Sequence, residues 1–248
     1  MLIAFWSNKA STCDKMTMKI SAKHGRNKEK LDNTALTNYL EQKKFPIVSK
    51  EYKKYLLYEG IQDHHVYILK SGVIKTSVVS RDGREFNLEY INDLEVVSLL
   101  KDEYSQFIDA PFNIRVESEK AELYQIDRVE FWKDINQNRE LQIYVKNYYR
   151  ERLMKSMKRT QQMLMNGKFG AVCSQIYDLY DKFGVEFQDG VLIDFVVTNE
   201  EIAHFCGINA ASSVSRIMHQ LKTCGAIKML DHKIFIKNIE LIKDNIIF

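Results

Sequence analysis

The chain has 248 residues, 45% of them hydrophobic, with 36 Lys and Arg against 33 Asp and Glu. That length favours two domains, and the composition is ordinary for a globular protein, while a net charge of +3 commits it to no class of partner. No apolar run approaches the about 18 residues of a membrane span, and Met1–Trp6 is too short for a signal-peptide core, so the expectation is a cytoplasmic protein with no membrane partner.

Residues 1–33 are basic, with Lys9, Lys15, Lys19, Lys23, Arg26, Lys28 and Lys30 against Asp14, Glu29 and Asp32. Such a run reads as a solvated extension, or as an upstream start with Met16 or Met18 as the first residue. Leu36, Tyr39 and Leu40 then fit a short helix. Within a domain of residues 34–128, the pattern from Phe45 to about Arg128 is that of strands. Val66–Leu69, Gly72–Val79, Phe86–Ile91 and Leu123–Ile126 are β-branched and aromatic, and Gly60, Ser71-Gly72 and Asp82-Gly83 punctuate them. Short strands with turn signals predict an antiparallel barrel or sandwich, with a hairpin at Asp82-Gly83.

Residues 129–165 contain neither Gly nor Pro. Leu141, Val145, Tyr149, Leu153, Met157 and Leu164 recur at nearly helical spacing. This predicts one long helix whose apolar stripe needs a partner helix, and hence a homodimer. Its charged residues are mostly basic, from Lys133 to Arg159, which implies a solvated outer face.

Asn166-Gly167 opens the last domain, residues 166–248. In VTNEEIAHFCGINAASSVSRIMHQLKTCGAI, Thr198 and Glu201 fit a capping box. Ile202, Phe205 and Cys206 form one stripe, and Gly207 suits a helix end. Asn209 is the expected cap of a second helix, in which Val214, Ile217, Met218 and Leu221 point inward. Ser212, Ser213, Ser215, Arg216, His219 and Gln220 are left outside or on its flanks, with Lys222 in the last turn. This is the layout of a helix-turn-helix that binds double-stranded DNA. Arg216 can pair with guanine O6 and N7. The bland alternative is an ordinary helical hairpin. Ile227–Leu230 and Ile234–Ile236 around Asp231-His232-Lys233 then predict a hairpin wing, with Lys228, Lys233 and Lys237 placed for phosphates. From Asn166 on there are eight Lys and Arg against ten Asp and Glu, so any positive field must be local, at Arg216, Lys222 and the wing.

The order of barrel, long helix and winged helix-turn-helix resembles the Crp/Fnr superfamily of transcription regulators, and in particular its PrfA-like branch of Gram-positive bacteria, typified by a listerial virulence regulator with streptococcal relatives. The likeness rests on GIQDHHVYILKSGVIKTSVVSRDGREFNLEYI (Gly60–Ile91) and SSVSRIMHQLK (Ser212–Lys222) and spans about residue 34 to the end. It implies an α+β chain with a cyclic-nucleotide-binding-like barrel, a homodimer on a palindromic operator, and RNA polymerase as a further partner. It also places Ser212 and Arg216 on base-contacting positions, with Ser215 beside them. The cyclic-nucleotide members carry a Gly-Glu and then an Arg-Ser or Arg-Thr. Here the stretch reads Asn92–Leu99, and the following arginine, Arg115, precedes Val116. A cyclic phosphate would be poorly paired, so cyclic AMP is not expected.

The effector is expected to be a small molecule or peptide where Tyr144–Tyr149 and a helix Phe169–Tyr180 would meet. A redox signal through Cys13, Cys173, Cys206 or Cys224, including an iron–sulfur cluster, is the second reading. Adjacent His64 and His65 should face opposite sides of a strand, so no metal site is expected there. His204 and Cys206 are two apart and share no helix face. No Walker loop, G-x-S-x-G or H-E-x-x-H occurs, so no enzyme is expected. The alternative class is a metabolite-binding or cupin-like barrel with a C-terminal interaction module, but the strands lack an H-x-H or H-x-E set.

Overall fold

The computed structural model describes residues 32–98 and 100–246. The basic stretch 1–31, with Cys13, lies outside the described residues. A short helix α1 (Thr34–Gln42) leads into ten strands: β1 (Ile47–Glu51), β2 (Tyr55–Leu57), β3 (Gln62–Asp63), β4 (His65–Ser71), β5 (Ile74–Val79), β6 (Glu85–Ile91), β7 (Glu95–Val96), β8 (Ile108–Asp109), β9 (Asn113–Val116) and β10 (Lys120–Asp127). They form two four-stranded antiparallel sheets, β1-β10-β4-β7 and β2-β9-β5-β6, and a small pair β3-β8. Side chains from both sheets share one core: Leu69 and Leu123 from the first meet Ile74, Ile91 and Ile114 from the second. The expected hairpin joins β5 to β6. Gly83 takes a φ of +81° there, and its N–H donates to Ser80 O. Gly72 is forced by contact, because a Cβ would stand 2.5 Å from the Lys120 carbonyl oxygen.

The stretch 129–165 is not one helix. Asn138 has an extended backbone and divides it into α2 (Arg128–Gln137) and α3 (Arg139–Met165). Its Oδ1 accepts from the N–H groups of Glu140 and Leu141 at 2.9 and 3.2 Å. Gly and Pro are not the only helix breaks, since an Asn side chain satisfies the orphan amides of a new first turn. The first half of α3 is committed to the barrel. Leu141, Tyr144, Val145 and Tyr148 pack with Val66, Ile68, Val96 and Ile126, and with α1 and α2.

The C-terminal domain runs α4 (Gly167–Phe183), β11 (Gly184–Phe187), β12 (Gly190–Ile193), α5 (Asn199–Cys206), α6 (Ala211–Thr223), β13 (Ile227–Leu230), β14 (Lys233–Ile236) and α7 (Glu240–Lys243). Its sheet has the order β11-β12-β14-β13. The helices bury their apolar stripes in one core, which also takes in Tyr90 from the barrel. The Tyr90 ring lies 4.8 Å from Phe205 and 5.1 Å from Phe195. No described helix is long and apolar enough to cross a membrane.

Candidate nucleic-acid interface

The two short helices form as their caps dictate. Thr198 Oγ1 accepts from the Glu201 N–H at 3.1 Å and opens α5. Gly207, at φ +62°, closes it in the left-handed region that favours glycine. Ile208 is buried beneath the turn. The capping box is only half made, because the Glu201 carboxylate turns to the barrel instead. The cap of α6 also differs from expectation. Ala210 is the N-cap and gives no side-chain bond. Asn209 Oδ1 accepts from Arg84 Nη1 of the β5–β6 hairpin, at 3.2 Å. The first amides of α6 therefore have no side-chain cap, at the end of the helix where positive charge accumulates.

The faces of α6 separate as the spacing predicts. Val214, Ile217, Met218 and Leu221 are buried, while Ser212, Ser215, Arg216, His219, Gln220 and Lys222 are exposed and Ser213 is half-buried. The wing is β13 and β14, joined at Asp231 and His232 with positive φ. Its cations are partly committed. Lys233 Nζ lies 2.6 Å from Asp194 Oδ1, and Lys228 Nζ stands 4.2 Å from the Phe235 ring centroid. Phosphate contact by Lys233 must compete with that ion pair, whereas Lys237 is exposed.

The expected dimer stripe falls on two faces. Leu141 and Val145 are buried within the subunit, so they are not available to a partner. Leu153, Met157 and Leu164 are 62%, 54% and 79% exposed, with Tyr149 at the margin. Ile143 and Met154, outside the expected stripe, are exposed on the same stretch. The cause is the turn at Asn138, which lays the first half of α3 on the barrel.

Three ties that the sequence did not signal fix the helix-turn-helix domain to the barrel and α3. Arg159 donates to the carbonyls of Phe205 and Asn87 and lies over the Phe86 and Phe205 rings. Tyr90 enters the core described above. Glu201 joins Lys75, Arg115 and Asn87. Tyr144–Tyr149 and Phe169–Tyr180 do not meet as expected. Tyr144 and Tyr148 sit in the barrel-side core, and α4 sits in the C-terminal one. A groove of about 490 Å³ lies instead at the α2–α3 elbow, between Glu103, Trp132, Asn136 and Lys146.

His64 and His65 do not face opposite sides. The strand is interrupted at His64, and the two rings come within 3.9 Å beside Asp63. Their ligand atoms and that of Asp63 lie within 4.8 Å of one another, a spacing that could hold a metal ion. Asp63 Oδ1 is already used, accepting from the His64 and His65 amides at 2.7 and 3.1 Å, so the trio serves the turn. Burial pushes the thiols of Cys173 and Cys206 up to about 12, which leaves little thiolate for redox chemistry. Cys224 is exposed.

Residues 170–244 match the Crp-like helix-turn-helix domain. The chain is 50% identical, over 85% of its length and 96% of the relative's, to the lactate racemization regulatory protein of Lactiplantibacillus plantarum. It is 27% identical to the listeriolysin regulatory protein of Listeria monocytogenes, over 79% of this chain and 89% of that one. The structure of FixK2 from Bradyrhizobium japonicum superposes with a TM-score of 0.69 at 12% identity, covering 82% of this chain and 98% of the other, and so shares the fold.

Proposed function

This chain belongs to the Crp/Fnr superfamily of DNA-binding transcription regulators, and we propose that it works in the cytoplasm as a homodimer on a palindromic operator, in partnership with RNA polymerase. The observation that carries the reading is the exposed face of α6. Arg216 stands in its second turn, flanked by Ser212 and Ser215, with no bulky side chain before it to hold the helix away from a base edge. Arg216 reads a guanine, Ser212, Ser213, Ser215 and His219 shape the fit, and Lys222 and Lys233 bind phosphates. The protomers join through Leu153, Met157 and Leu164. The likeness to a lactate racemization regulatory protein favours target genes of that metabolic class.

Cyclic AMP is not the effector. Arg115, the arginine that follows the Asn92–Leu99 stretch, is spent on Glu117 and Glu201 and is not free for a cyclic phosphate. A small molecule or peptide is favoured over a thiol signal at Cys173 or Cys206, because burial holds both thiols protonated; a redox signal would fall to the exposed Cys224. The test is selection of bound duplexes from a random pool, followed by footprinting. Recovery of a two-fold symmetric site with half-sites one helical turn apart is expected. Recovery of no preferred sequence overturns the reading.

A further inference from the structure

A buried charge cluster closes the seam between barrel and reading head. The Lys75 side chain, on β5, is fully buried. Its Nζ lies 2.8 Å from Glu201 Oε2, 3.3 Å from Glu85 Oε1 and 4.0 Å from Glu117 Oε1. Arg115, on β9, reaches Glu117 at 2.6 Å and Glu201 at 3.1 Å. Asn87 Nδ2, on β6, donates to Glu201 Oε2 at 2.7 Å. His204 Nδ1, on α5, stands 3.8 Å from Glu85.

The origin of each group matters. Lys75, Glu85, Asn87, Arg115 and Glu117 belong to the barrel, whose two cations are already matched there by two carboxylates. Glu201 is a third carboxylate, inserted from another domain. A buried charge is tolerated only when it is paired and hydrogen-bonded, and Glu201 finds three donors. Burial pushes its carboxyl up, but the Lys75 hydrogen bond and charge, with Arg115 and Asn87, more than offset this and hold it below its usual range. Glu201 lies in the first turn of α5, and α5 packs directly on α6. Only the short turn from Gly207 to Ala210 separates them. Whatever holds Glu201 therefore holds the recognition helix.

We propose that Glu201 is the positioning residue through which the barrel sets the orientation of α6, its carboxylate seated between Lys75, Arg115 and Asn87. This rests on α6 being the DNA-reading helix. A head held in this way is ordered before it meets DNA, so operator binding avoids that ordering cost. Losing the seat leaves a head that must be ordered on the DNA.

The experiment compares full-length Lys75→Met, Glu201→Gln and the double variant on a selected operator and on a scrambled duplex, together with hydrogen exchange. Each single variant is expected to weaken operator binding by about five- to tenfold and to leave scrambled-duplex binding unchanged. The double variant should be no weaker than either single, because both remove one contact. Amides of α5 and of the β5–β6 hairpin should exchange faster while α6 and the wing keep their protection. Lys75→Met leaves the helix-turn-helix sequence intact, so its effect cannot come from the cap of α5. Arg115→Met replaces it if that variant does not fold. Additive losses, unchanged affinity for the barrel-side variant, or a gain in affinity overturns the proposal. If the wild type does not distinguish operator from scrambled duplex, it is the DNA reading that fails. Faster exchange in α5 on Lys75→Met then still upholds the seat, and unchanged exchange overturns it.

Discussion

Single residues carry distinct and separable duties in this chain. Arg216 has its guanidinium in solvent and contributes nothing to the core. Arg216→Ala should therefore leave stability unchanged and cost about 1–3 kcal/mol per half-site in operator binding, relaxing specificity at one base pair. Equal losses on specific and scrambled duplexes would count against it as a base reader. Gly72 is the opposite case. Its φ of +94° and the Lys120 carbonyl leave no room for a side chain. Gly72→Ala should destabilise the barrel by on the order of 2 kcal/mol or more in urea unfolding. Lys182 makes a pH-dependent contribution. Its amine donates to the Tyr90 carbonyl, and burial, aided by Lys155, lowers its pKa to about 8 against competing pull from Asp178 and Glu95. Between about 8 and its ordinary 10.5 the unfolded chain holds a proton that the folded chain has released, so this group makes stability rise with pH across that window. The difference between wild type and Lys182→Met in urea unfolding at pH 7.5 and 9.5 should show that rise and its loss.

At the scale of elements, α3 is the instructive case. Its apolar residues read along the chain as one stripe, yet Leu141, Tyr144, Val145 and Tyr148 cover the barrel while Leu153, Met157 and Leu164 stay exposed. A helix wide enough in apolar positions can serve two surfaces, and spacing alone does not say where one hands over to the other. The two halves should respond differently to substitution. Leu153→Asp with Met157→Asp should yield monomers by light scattering with little loss of barrel stability. Leu141→Ala should cost about 2–5 kcal/mol in stability and leave the oligomeric state alone. Persistence of the dimer in the double variant would move the interface elsewhere. The strands β4, β5, β6 and β10, and both helices of the helix-turn-helix, were legible because each has a clear period or cap. The strands β1, β2, β3, β7, β8 and β9 were not, since two to five residues carry too little pattern to be seen without their partners.

At the scale of the molecule, the barrel and the reading head are joined by an aromatic pin and a charge cluster. Tyr90 leaves β6 and enters the core of the other domain, among Phe183, Phe195 and Phe205. Tyr90→Ala should cost about 3–5 kcal/mol, as truncation of a buried aromatic does. It should also separate a single calorimetric unfolding transition into two, one for each domain. A single transition at lower temperature would mean that α3 and Arg159 couple the domains without the pin.

Local structure follows from the order of the residues alone: which segments bury one face, where Thr198 and Gly207 start and stop α5, and which face of α6 carries Arg216. These follow from contacts between residues a few positions apart, so caps and periods record them. Long-range packing settles what depends on distant partners. It spent the Glu201 carboxylate on Lys75 rather than on its own helix cap, and gave Asn209 to Arg84 instead of to α6. It also divided the stripe of α3 between barrel and solvent. Each of those outcomes turns on a charged or apolar side chain meeting a group that lies far away in the chain, and no local pattern encodes such a meeting.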